Sequence, residues 1–322
     1  MPSRTWVGTT RAVRWTLASL GAVCLACGGT PQGLTGPTTL TGVNRAQTPP
    51  SAPSVPDATA APVLPTEIFV GAGDIGQCSN GGNPQATARL LDSIDGTVFA
   101  LGDNAYPSGT AQNYRECYDG SWGRHKSRTR PVAGNHEYDT TAAAPYYEYF
   151  GATAGPSGAG FYSYELGNWH VVALNSNIAV GRNSAQAAWL RSDLAANAAK
   201  CTIAYWHFPL FSSSKHGNIE QMREFWRILH ENGADVVLSA HDHVYERFAP
   251  QDPDGAADPN GIREFVVGTG GAPPYPFVDV KANSEVRLST TGVLRLALKA
   301  GGYDWNFIPV SGAGDSGSAT CH

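Results

Sequence analysis

Short apolar runs, most of them unbroken by polar residues, constrain the fold of this chain more than any other sequence feature. Continuous apolar runs of this length are typical of strands that are covered on both faces, whereas half-exposed strands alternate apolar and polar residues. The sequence therefore predicts strands over Ile68–Val70, Thr97–Leu101, Val171–Leu174, Thr202–Trp206, Val236–Leu238, Glu264–Val267 and Val293–Leu298.

Two helices are predicted between these strands. Pro84 is a favourable first residue for a helix that extends to about Ile94. From Ile219 to Leu229, apolar residues recur at intervals of three and four, and Gly233 follows as a C-terminal stop. The alternation of strands and helices favours an α/β fold.

Asp, Asn and His residues are concentrated in five segments of the chain. Four of them directly follow a predicted strand, and the remaining one, which begins at Gly134, follows the shorter run 131–133. The segments are Gly73–Gly76, Gly102–Tyr106, Gly134–Glu137, His207 and His241–His243. Loops at the carboxyl ends of strands converge at one edge of an α/β sheet, where ligands bind. We therefore expect these side chains to meet at one place.

The residue types in these segments suit a metal centre. Carboxylate, phenol and amide oxygens bind hard cations, and imidazole binds iron, zinc and similar ions. A carboxylate has two oxygens and can bridge two cations, which together activate water and neutralise a phosphoryl group. The sequence therefore predicts a two-metal site for phosphate-ester hydrolysis.

The order and spacing of these residues resemble the purple acid phosphatases, which are calcineurin-like metallophosphoesterases. The resemblance extends over residues 67–310 and includes Gly-Asp-x-Gly at Asp74, Gly-Asp-x-x-Tyr at Asp103, Gly-Asn-His-Glu at Asn135, His207 and the pair His241-x-His243. It implies a metallophosphoesterase α/β/β/α sandwich, in which two mixed β-sheets are flanked by helices. A tyrosine three residues after the second aspartate, here Tyr106, separates this family from other metallophosphoesterases.

The resemblance also implies a role for each residue. Asp74, Tyr106 and His243 would bind one metal, usually Fe(III), and Asn135, His207 and His241 would bind a divalent Zn, Mn or Fe. Asp103 would bridge the two metals.

Further residues would assist these ligands. His136 and His216 would act on the substrate, by binding phosphate or protonating the leaving group. Glu137, Tyr245, Glu246 and Arg247 are predicted to orient the ligands. One departure from the family pattern is Ala240, which stands where the family usually has glycine before the His-x-His pair.

The N-terminal residues have the features of an export signal. Arg4, Arg11 and Arg14 precede an uncharged run, 15–26, which is too short to span a bilayer as a helix. Residues 1–27 are therefore predicted to be a signal peptide, with two alternatives: lipidation of Cys27 as in bacterial lipoproteins, or ordinary cleavage nearby. Either alternative places the protein outside the cytoplasm, as a secreted, periplasmic or lipid-anchored protein without a membrane span.

The rest of the chain divides into three predicted parts. Residues 28–65 are rich in Pro, Thr and Ala and predict a linker without a core, residues 66–312 the catalytic domain, and residues 313–322 a C-terminal tail. The four cysteines that follow the signal, Cys78, Cys117, Cys201 and Cys321, predict disulfides in one of three pairings.

Charge and motif together define the candidate functions. The formal charge is -5, without clusters of Lys or Arg, which argues against binding of nucleic acid. The predicted substrate is a small phosphate monoester, cleaved as by an acid phosphatase. A phosphodiesterase or nucleotidase with the same centre is one alternative, and a surface lipoprotein that binds metals without catalysis is another.

Overall fold

The structure is a computed structural model that describes residues 65–197 and 199–322. The predicted signal peptide, Cys27 and nearly all of the predicted linker lie outside these residues. The strands of the described part are β1 Glu67–Ala72, β2 Thr97–Leu101, β3 Thr129–Val132, β4 Tyr162–Leu166, β5 Trp169–Ala173, β6 Cys201–Tyr205, β7 Val236–Ser239, β8 Tyr245–Phe248, β9 Arg263–Val267, β10 Ser284–Leu288, β11 Gly292–Lys299, β12 Gly302–Pro309 and β13 Asp315–Thr320.

These strands form two mixed sheets. The first has the order β13-β12-β11-β1-β2-β3, in which β1, β2 and β3 are parallel and the other pairs antiparallel. The second has the order β10-β8-β9-β7-β6-β5-β4, in which β5, β6, β7 and β9 are parallel. The predicted fold class, a sandwich of two mixed sheets with helices, is confirmed.

The core explains why the predicted strands are apolar throughout. Successive side chains of a strand point to opposite faces of its sheet. One face of each sheet packs against the other sheet, as shown by the rings of Phe69 on β1 and Tyr205 on β6, whose centroids lie 5.7 Å apart. The opposite face of the second sheet, with Ala204 and Val237, packs with helical residues such as Leu190 and Phe225. Both faces are therefore buried.

The helices of the described part lie between the strands in sequence. They are α1 Pro84–Leu91, α2 Ala111–Asn113, α3 Ala144–Phe150, α4 Ala185–Ala196 and α5 Arg223–Glu231. Asn83 caps α1 by accepting a hydrogen bond from the Ala86 backbone N–H, and Ser184 caps α4 in the same way through Ala187. None of the helices described is long and apolar enough to cross a membrane.

The seven predicted strands are present, and the two predicted helices are shorter than expected. α1 ends at Leu91, because the N–H groups of Ser93 and Ile94 bond three residues back and form turns before Gly96. α5 begins at Arg223, after a short 3-10 turn over Glu220–Met222. The pattern of apolar residues is continuous through that turn, so sequence periodicity alone does not separate the two.

The C-terminal residues differ from the prediction. A tail was predicted over residues 313–322, but β13 lies there and pairs with β12 along its whole length. Its sequence, Asp-Ser-Gly-Ser-Ala-Thr, has no apolar run, because it forms the edge of the sheet and is largely exposed. The predicted disulfides form as Cys78–Cys117 and Cys201–Cys321, and the second joins the residue after β13 to β6.

Candidate metal centre

The seven predicted ligands lie in loops at the carboxyl ends of parallel strands from both sheets. β1, β2 and β3 lead into three of the loops, and β6 and β7 lead into the other two. Direct contacts link these side chains into one group, which we call the metal-centre cluster: Asp74, Asp103, Tyr106, Asn135, His207, His241 and His243. Their role as metal ligands stays a prediction.

The backbone turns sharply at three members of the cluster. Asp74, Asp103 and His241 have φ angles of 57°, 49° and 67°, in the left-handed region that is unfavourable for residues with a side chain. Such residues occur where the surrounding structure enforces them, and they are concentrated at functional sites. The contacts of Asp74, Asp103 and His241 show that these turns bring the three side chains into the cluster.

Glu137 holds two of these loops together. Its buried carboxylate accepts hydrogen bonds from the backbone N–H groups of Asp103 (2.9 Å), Asn104 (2.8 Å) and Gly134 (2.7 Å). A Cβ atom at Gly134 would lie 2.1 Å from Oδ1 of Asp103, so only glycine allows the two loops to approach this closely. The predicted supporting position of Glu137 agrees with these contacts.

Tyr106 is the centre of one side of the cluster. Its hydroxyl group lies 2.8 Å from Oδ1 of Asp74, 3.1 Å from Oδ2 of Asp103 and 3.2 Å from Nε2 of His243. Nδ1 of His243 donates to the carbonyl oxygen of Pro273 at 2.9 Å, so Nε2 faces the cluster. A hydrogen bond of this kind fixes the ring of a metal-ligating histidine.

His207 is the centre of the other side. Nδ1 donates to the carbonyl oxygen of Leu101 at 2.8 Å, and Nε2 lies 3.1 Å from Oδ1 of Asn135 and 3.4 Å from Oδ2 of Asp103. One ligand atom from each of Asp103, His207 and His241 lies within 4.8 Å of the others. Asp103 therefore contacts both sides of the cluster.

The acidic groups of the cluster have pKa values that differ from their ordinary ones. Burial opposes ionisation of Asp103, but the imidazole of His207 outweighs it and holds the pKa of the carboxyl below its usual range. Burial also opposes ionisation of Asp74, but the imidazole of His243 outweighs it and lowers the pKa of this carboxyl. Burial and the charge of Asp103 raise the pKa of the Tyr106 phenol well above its ordinary value. The two carboxylates are thus ionised at neutral pH, and the phenol needs an additional positive charge in order to ionise.

The histidines of the cluster differ from one another. Burial alone would lower the pKa of His207, but the carboxylate of Asp103 raises it to about 9. For His241, burial and the charge of His207 lower the pKa to about 3. A neutral His241 keeps a ring nitrogen with a free electron pair for a cation. Carboxylate, phenol, amide and imidazole groups gathered in this way form a donor set that fits iron, zinc or manganese.

The two predicted substrate-acting histidines lie at the edge of the cluster. His136 is partly exposed, with Nε2 at 3.7 Å from Oδ2 of Asp103 and Nδ1 bonded to the Pro107 carbonyl oxygen. The exposed His216 packs its ring on His241, with centroids 4.3 Å apart. Asp242 accepts a hydrogen bond from the His216 backbone N–H at 2.9 Å and so fixes this loop.

Ala240 is accommodated because the residue next to it in space is a glycine. It is fully buried, and its side chain occupies space next to Gly73, where an added Cβ atom would lie 2.5 Å from the Ala240 methyl group. Glycine at residue 73 therefore compensates for the missing glycine at residue 240.

Two residues that were predicted to orient the ligands lie elsewhere. Tyr245 and Arg247 both bond to Asp315, and Arg247 also bonds to Glu285, so neither contacts the cluster. They follow the His-x-His pair in sequence, but β8 carries them away from the site. Glu246 accepts from the Ser213 backbone N–H at 2.8 Å and thus acts on the loop that carries His216.

Tyr275 is a site residue that the sequence analysis missed. Its ring stacks on His243, with centroids 3.9 Å apart and an angle of 12° between the planes. It follows β9, a strand that was predicted and that runs parallel to β7. The position of this loop at the carboxyl end of a predicted parallel strand was the available signal.

Comparison with known proteins identifies the family. Residues 69–245 match the calcineurin-like phosphoesterase family model. The chain therefore belongs to the calcineurin-like phosphoesterase family. Within that family, it is similar to the purple acid phosphatases, as the motifs around Asp74, Asp103 and Asn135 predicted.

Two similar curated proteins come from the plant Arabidopsis thaliana. The chain is 27% identical over 231 residues to purple acid phosphatase 18 of Arabidopsis thaliana, which covers 63% of this chain and 49% of that protein. It is 32% identical over 233 residues to purple acid phosphatase 21 of the same plant, covering 65% of this chain and 50% of that protein. The chain thus spans about half the length of these relatives.

Solved structures show the same fold at low sequence identity. Purple acid phosphatase PPD1 from yellow lupin seeds has a TM-score of 0.66 and 18% identity, covering 79% of this chain and 54% of that one. GAP50, the anchor in the inner membrane complex of Plasmodium, has a TM-score of 0.62 and 15% identity, covering 80% of this chain and 89% of that one. The fold thus occurs both in a phosphatase and in a membrane-complex anchor.

Proposed function

We propose that this chain is a two-metal phosphoesterase that hydrolyses small phosphate monoesters. The observation that carries the proposal is the metal-centre cluster itself. Seven side chains of ligand type, scattered from residue 74 to residue 243, meet at one edge of two sheets. Since one fold can serve many functions, the argument rests on these side chains rather than on the sandwich.

The contacts within the cluster support a division into two ligand groups. Asp74, Tyr106 and His243 contact one another and would hold Fe(III). Asn135, His207 and His241 form the second group and would hold divalent Zn, Mn or Fe. Asp103 lies between the groups, with Oδ2 at 3.1 Å from the Tyr106 hydroxyl and 3.4 Å from Nε2 of His207, as a bridging carboxylate requires.

The bound cations would supply Lewis-acid activation of water and neutralise the charge of the phosphoryl group. The remaining work falls to the residues at the edge. His136 is held by the Pro107 carbonyl oxygen, so its other ring nitrogen faces the cluster and, when protonated, can donate to a phosphate oxygen or to the leaving oxygen. His216, fixed by Asp242 through its backbone, presents a second imidazole on the side of His241.

Elemental analysis of the purified protein, together with its visible spectrum and its hydrolysis of phenyl phosphate and diphenyl phosphate, tests the proposal. We expect two metals per chain, an absorption band from phenolate bound to Fe(III), and faster hydrolysis of the monoester. A clear preference for the diester would reassign the activity to a phosphodiesterase. A protein with two metals but no hydrolysis would support the alternative of a metal-binding surface protein.

We further infer that the protein is exported, with residues 1–27 as the signal and residues 28–65 as a linker. The two disulfides, Cys78–Cys117 and Cys201–Cys321, support this, because disulfides persist in oxidising compartments. Mass spectrometry of the N-terminal peptide from the native host tests the inference. A lipidated Cys27 indicates an envelope anchor, an unmodified N-terminus after cleavage indicates a free protein, and an intact Met1 contradicts export.

A further inference from the structure

Two loops outside the metal-centre cluster meet at its edge and form a small cationic and aromatic surface. The loop after β9 places Tyr275 against His243, and the loop after β6 places Nζ of Lys215 at 4.4 Å from the centroid of the Tyr275 ring. Because His243 covers one face of that ring, the ammonium group lies over the other face. We call Lys215 and Tyr275 the rim pair.

The ammonium group of Lys215 is available to a ligand. The residue is exposed, and within residues 65–197 and 199–322 it forms no ion pair with a carboxylate. Lys281, on a neighbouring segment, differs in this respect because it is paired with Asp279. An unneutralised cation beside an anion-binding centre attracts negatively charged parts of a substrate.

The hydroxyl group of Tyr275 is a second donor in this surface. The residue is fixed by its backbone, since its N–H donates to the His243 carbonyl oxygen at 3.0 Å and its own carbonyl accepts from Ser289 Oγ at 2.8 Å. In the part of the chain that the structure describes, the hydroxyl group has no hydrogen-bond partner, and the side chain is partly exposed. A fixed ring with a free hydroxyl group can position an oxygen ligand without further reorganisation.

The surroundings of His136 differ in charge from the rim pair, because they include an acidic side chain. There, the exposed carboxylate of Asp139 lies 3.7 Å from Nδ1 of His136. The second anionic group of a substrate would therefore be repelled by Asp139 and attracted by Lys215. This difference in charge gives such a substrate one preferred orientation.

We propose that Lys215 and the Tyr275 hydroxyl group form a subsite for a second anionic group of the substrate, so that the preferred substrates are small molecules with two phosphate groups. This inference rests on the proposed phosphoesterase function. One phosphate group is cleaved at the metal-centre cluster, while the other is bound by the rim pair and remains on the product.

Binding of a non-hydrolysable pair of ligands to the metal-loaded protein tests the subsite. Propane-1,3-diphosphonate and propylphosphonate differ only in the second anionic group, and calorimetry measures the affinity of each. In Lys215→Met, we expect the diphosphonate to bind roughly tenfold more weakly, as for the loss of one bond to a charged group, and propylphosphonate to change by less than about twofold. Tyr275→Phe, which keeps the ring, should weaken the diphosphonate by roughly threefold.

Lys281→Met is the matched control, because it removes a nearby lysine that is already paired. It should leave both affinities unchanged. Equal weakening of both ligands in Lys215→Met, or no weakening of either, overturns the subsite. If Tyr275→Phe binds the diphosphonate as tightly as the wild-type protein does, the hydroxyl group is not part of the subsite.

Kinetics separate this inference from the function on which it rests. We expect the wild-type protein to hydrolyse both fructose 6-phosphate and fructose 1,6-bisphosphate, with a higher kcat/KM for the bisphosphate that falls in Lys215→Met. Hydrolysis of both sugar phosphates with no dependence on Lys215 overturns the subsite alone. Absence of hydrolysis, combined with Lys215-dependent binding of the diphosphonate, overturns the function alone.

Discussion

The metal-centre cluster and a region near the C-terminus each contain an aspartate bonded to a tyrosine hydroxyl, but they differ in what surrounds the carboxylate. In the metal-centre cluster, Asp74 accepts from Tyr106 at 2.8 Å. In a second cluster, which we call the Asp315 cluster, Asp315 accepts from Tyr245 at 2.6 Å, from Nε of Arg247 at 2.7 Å and from Nε1 of Trp305 at 3.0 Å. Arg247 gives this carboxylate a permanent counter-charge.

The difference separates a structural carboxylate from one that is open to a ligand. Oδ2 of Asp315 accepts from three donors, and Oδ1 lies 3.3 Å from Nη2 of Arg247. The pKa of Asp315 is lowered because these bonds and the charge of Arg247 outweigh partial burial. Asp74 and Asp103 are fully buried, but their cationic neighbours are histidines, which lose their charge when they bind a metal. A cation can therefore replace the imidazolium charge in the metal-centre cluster. In the Asp315 cluster, the carboxylate is already neutralised by Arg247 and does not need a cation.

The largest expected effect is from removal of one carboxylate in each region. Asp103→Asn should lower metal content and reduce turnover by on the order of a thousandfold, because the proposed bridging ligand is lost. Asp315→Asn should keep metal content and turnover, but lower the free energy of unfolding by about 1–3 kcal/mol, since Arg247 loses part of its pairing. Elemental analysis, phenyl phosphate hydrolysis and urea denaturation measure these effects. Equal loss of metal in both variants would contradict the distinction.

The tyrosines of the two regions give a spectroscopic version of the comparison. Tyr106→Phe should abolish the visible band, because no phenolate remains to bind Fe(III). Tyr245→Phe should leave the band unchanged and cost about 1 kcal/mol of stability through the lost bond to Asp315. The visible spectrum of each purified variant is the measurement. A band that persists in Tyr106→Phe would exclude this tyrosine as the ligand.

Glu264 extends the comparison to a buried carboxylate without a cation. It accepts from Ser239 Oγ at 2.9 Å and from the Phe211 backbone N–H at 3.2 Å, and burial raises its pKa to about 8, from an ordinary value of 4.5. The folded state therefore binds the proton more tightly than the unfolded state. The stabilisation is complete below about pH 4.5 and is lost as the pH rises toward 8.

Glu264→Gln should reduce this pH dependence. Glutamine resembles the protonated acid, so the contribution of this group, which approaches about 1.4 kcal/mol per pH unit, should disappear from the stability profile. Urea denaturation of wild type and variant at several values between pH 5 and 8 measures it. Parallel profiles for the two proteins would show that Glu264 does not bind a proton in this range.

The smallest expected effect is at Ala240. Ala240→Gly restores the glycine that is usual in the family and removes one buried methyl group, so we expect a loss of about 1 kcal/mol or less in stability. Metal content and the visible spectrum should not change, because Gly73 already accommodates the methyl group. A gain in metal content in this variant would show that the methyl group distorts the His241 loop.

Much of the fold could be predicted from the sequence because its central strands are buried on both faces. β2 and β7 have continuous apolar sequences and were predicted nearly to the residue. β12 and β13 were missed, since β12 mixes aromatic and polar residues and β13 is almost entirely polar. Their place in the sheet depends on pairing with β11 and on the Cys201–Cys321 disulfide, neither of which is a local property.

The candidate site, like the fold, has features that the sequence predicted and others that it did not. The sequence by itself determined which side chains are the candidate ligands, because a metal requires particular donor atoms, and residues that could supply them form a pattern of Asp, Asn, Tyr and His at the ends of strands. Only the tertiary structure decided which side chains stand around them. Three contacts illustrate this: Tyr275 stacks on His243, Lys215 lies over Tyr275, and Arg247 bonds to Asp315 instead of to the metal-centre cluster. They depend on which distant loops pack together, and the residues within one segment do not determine that.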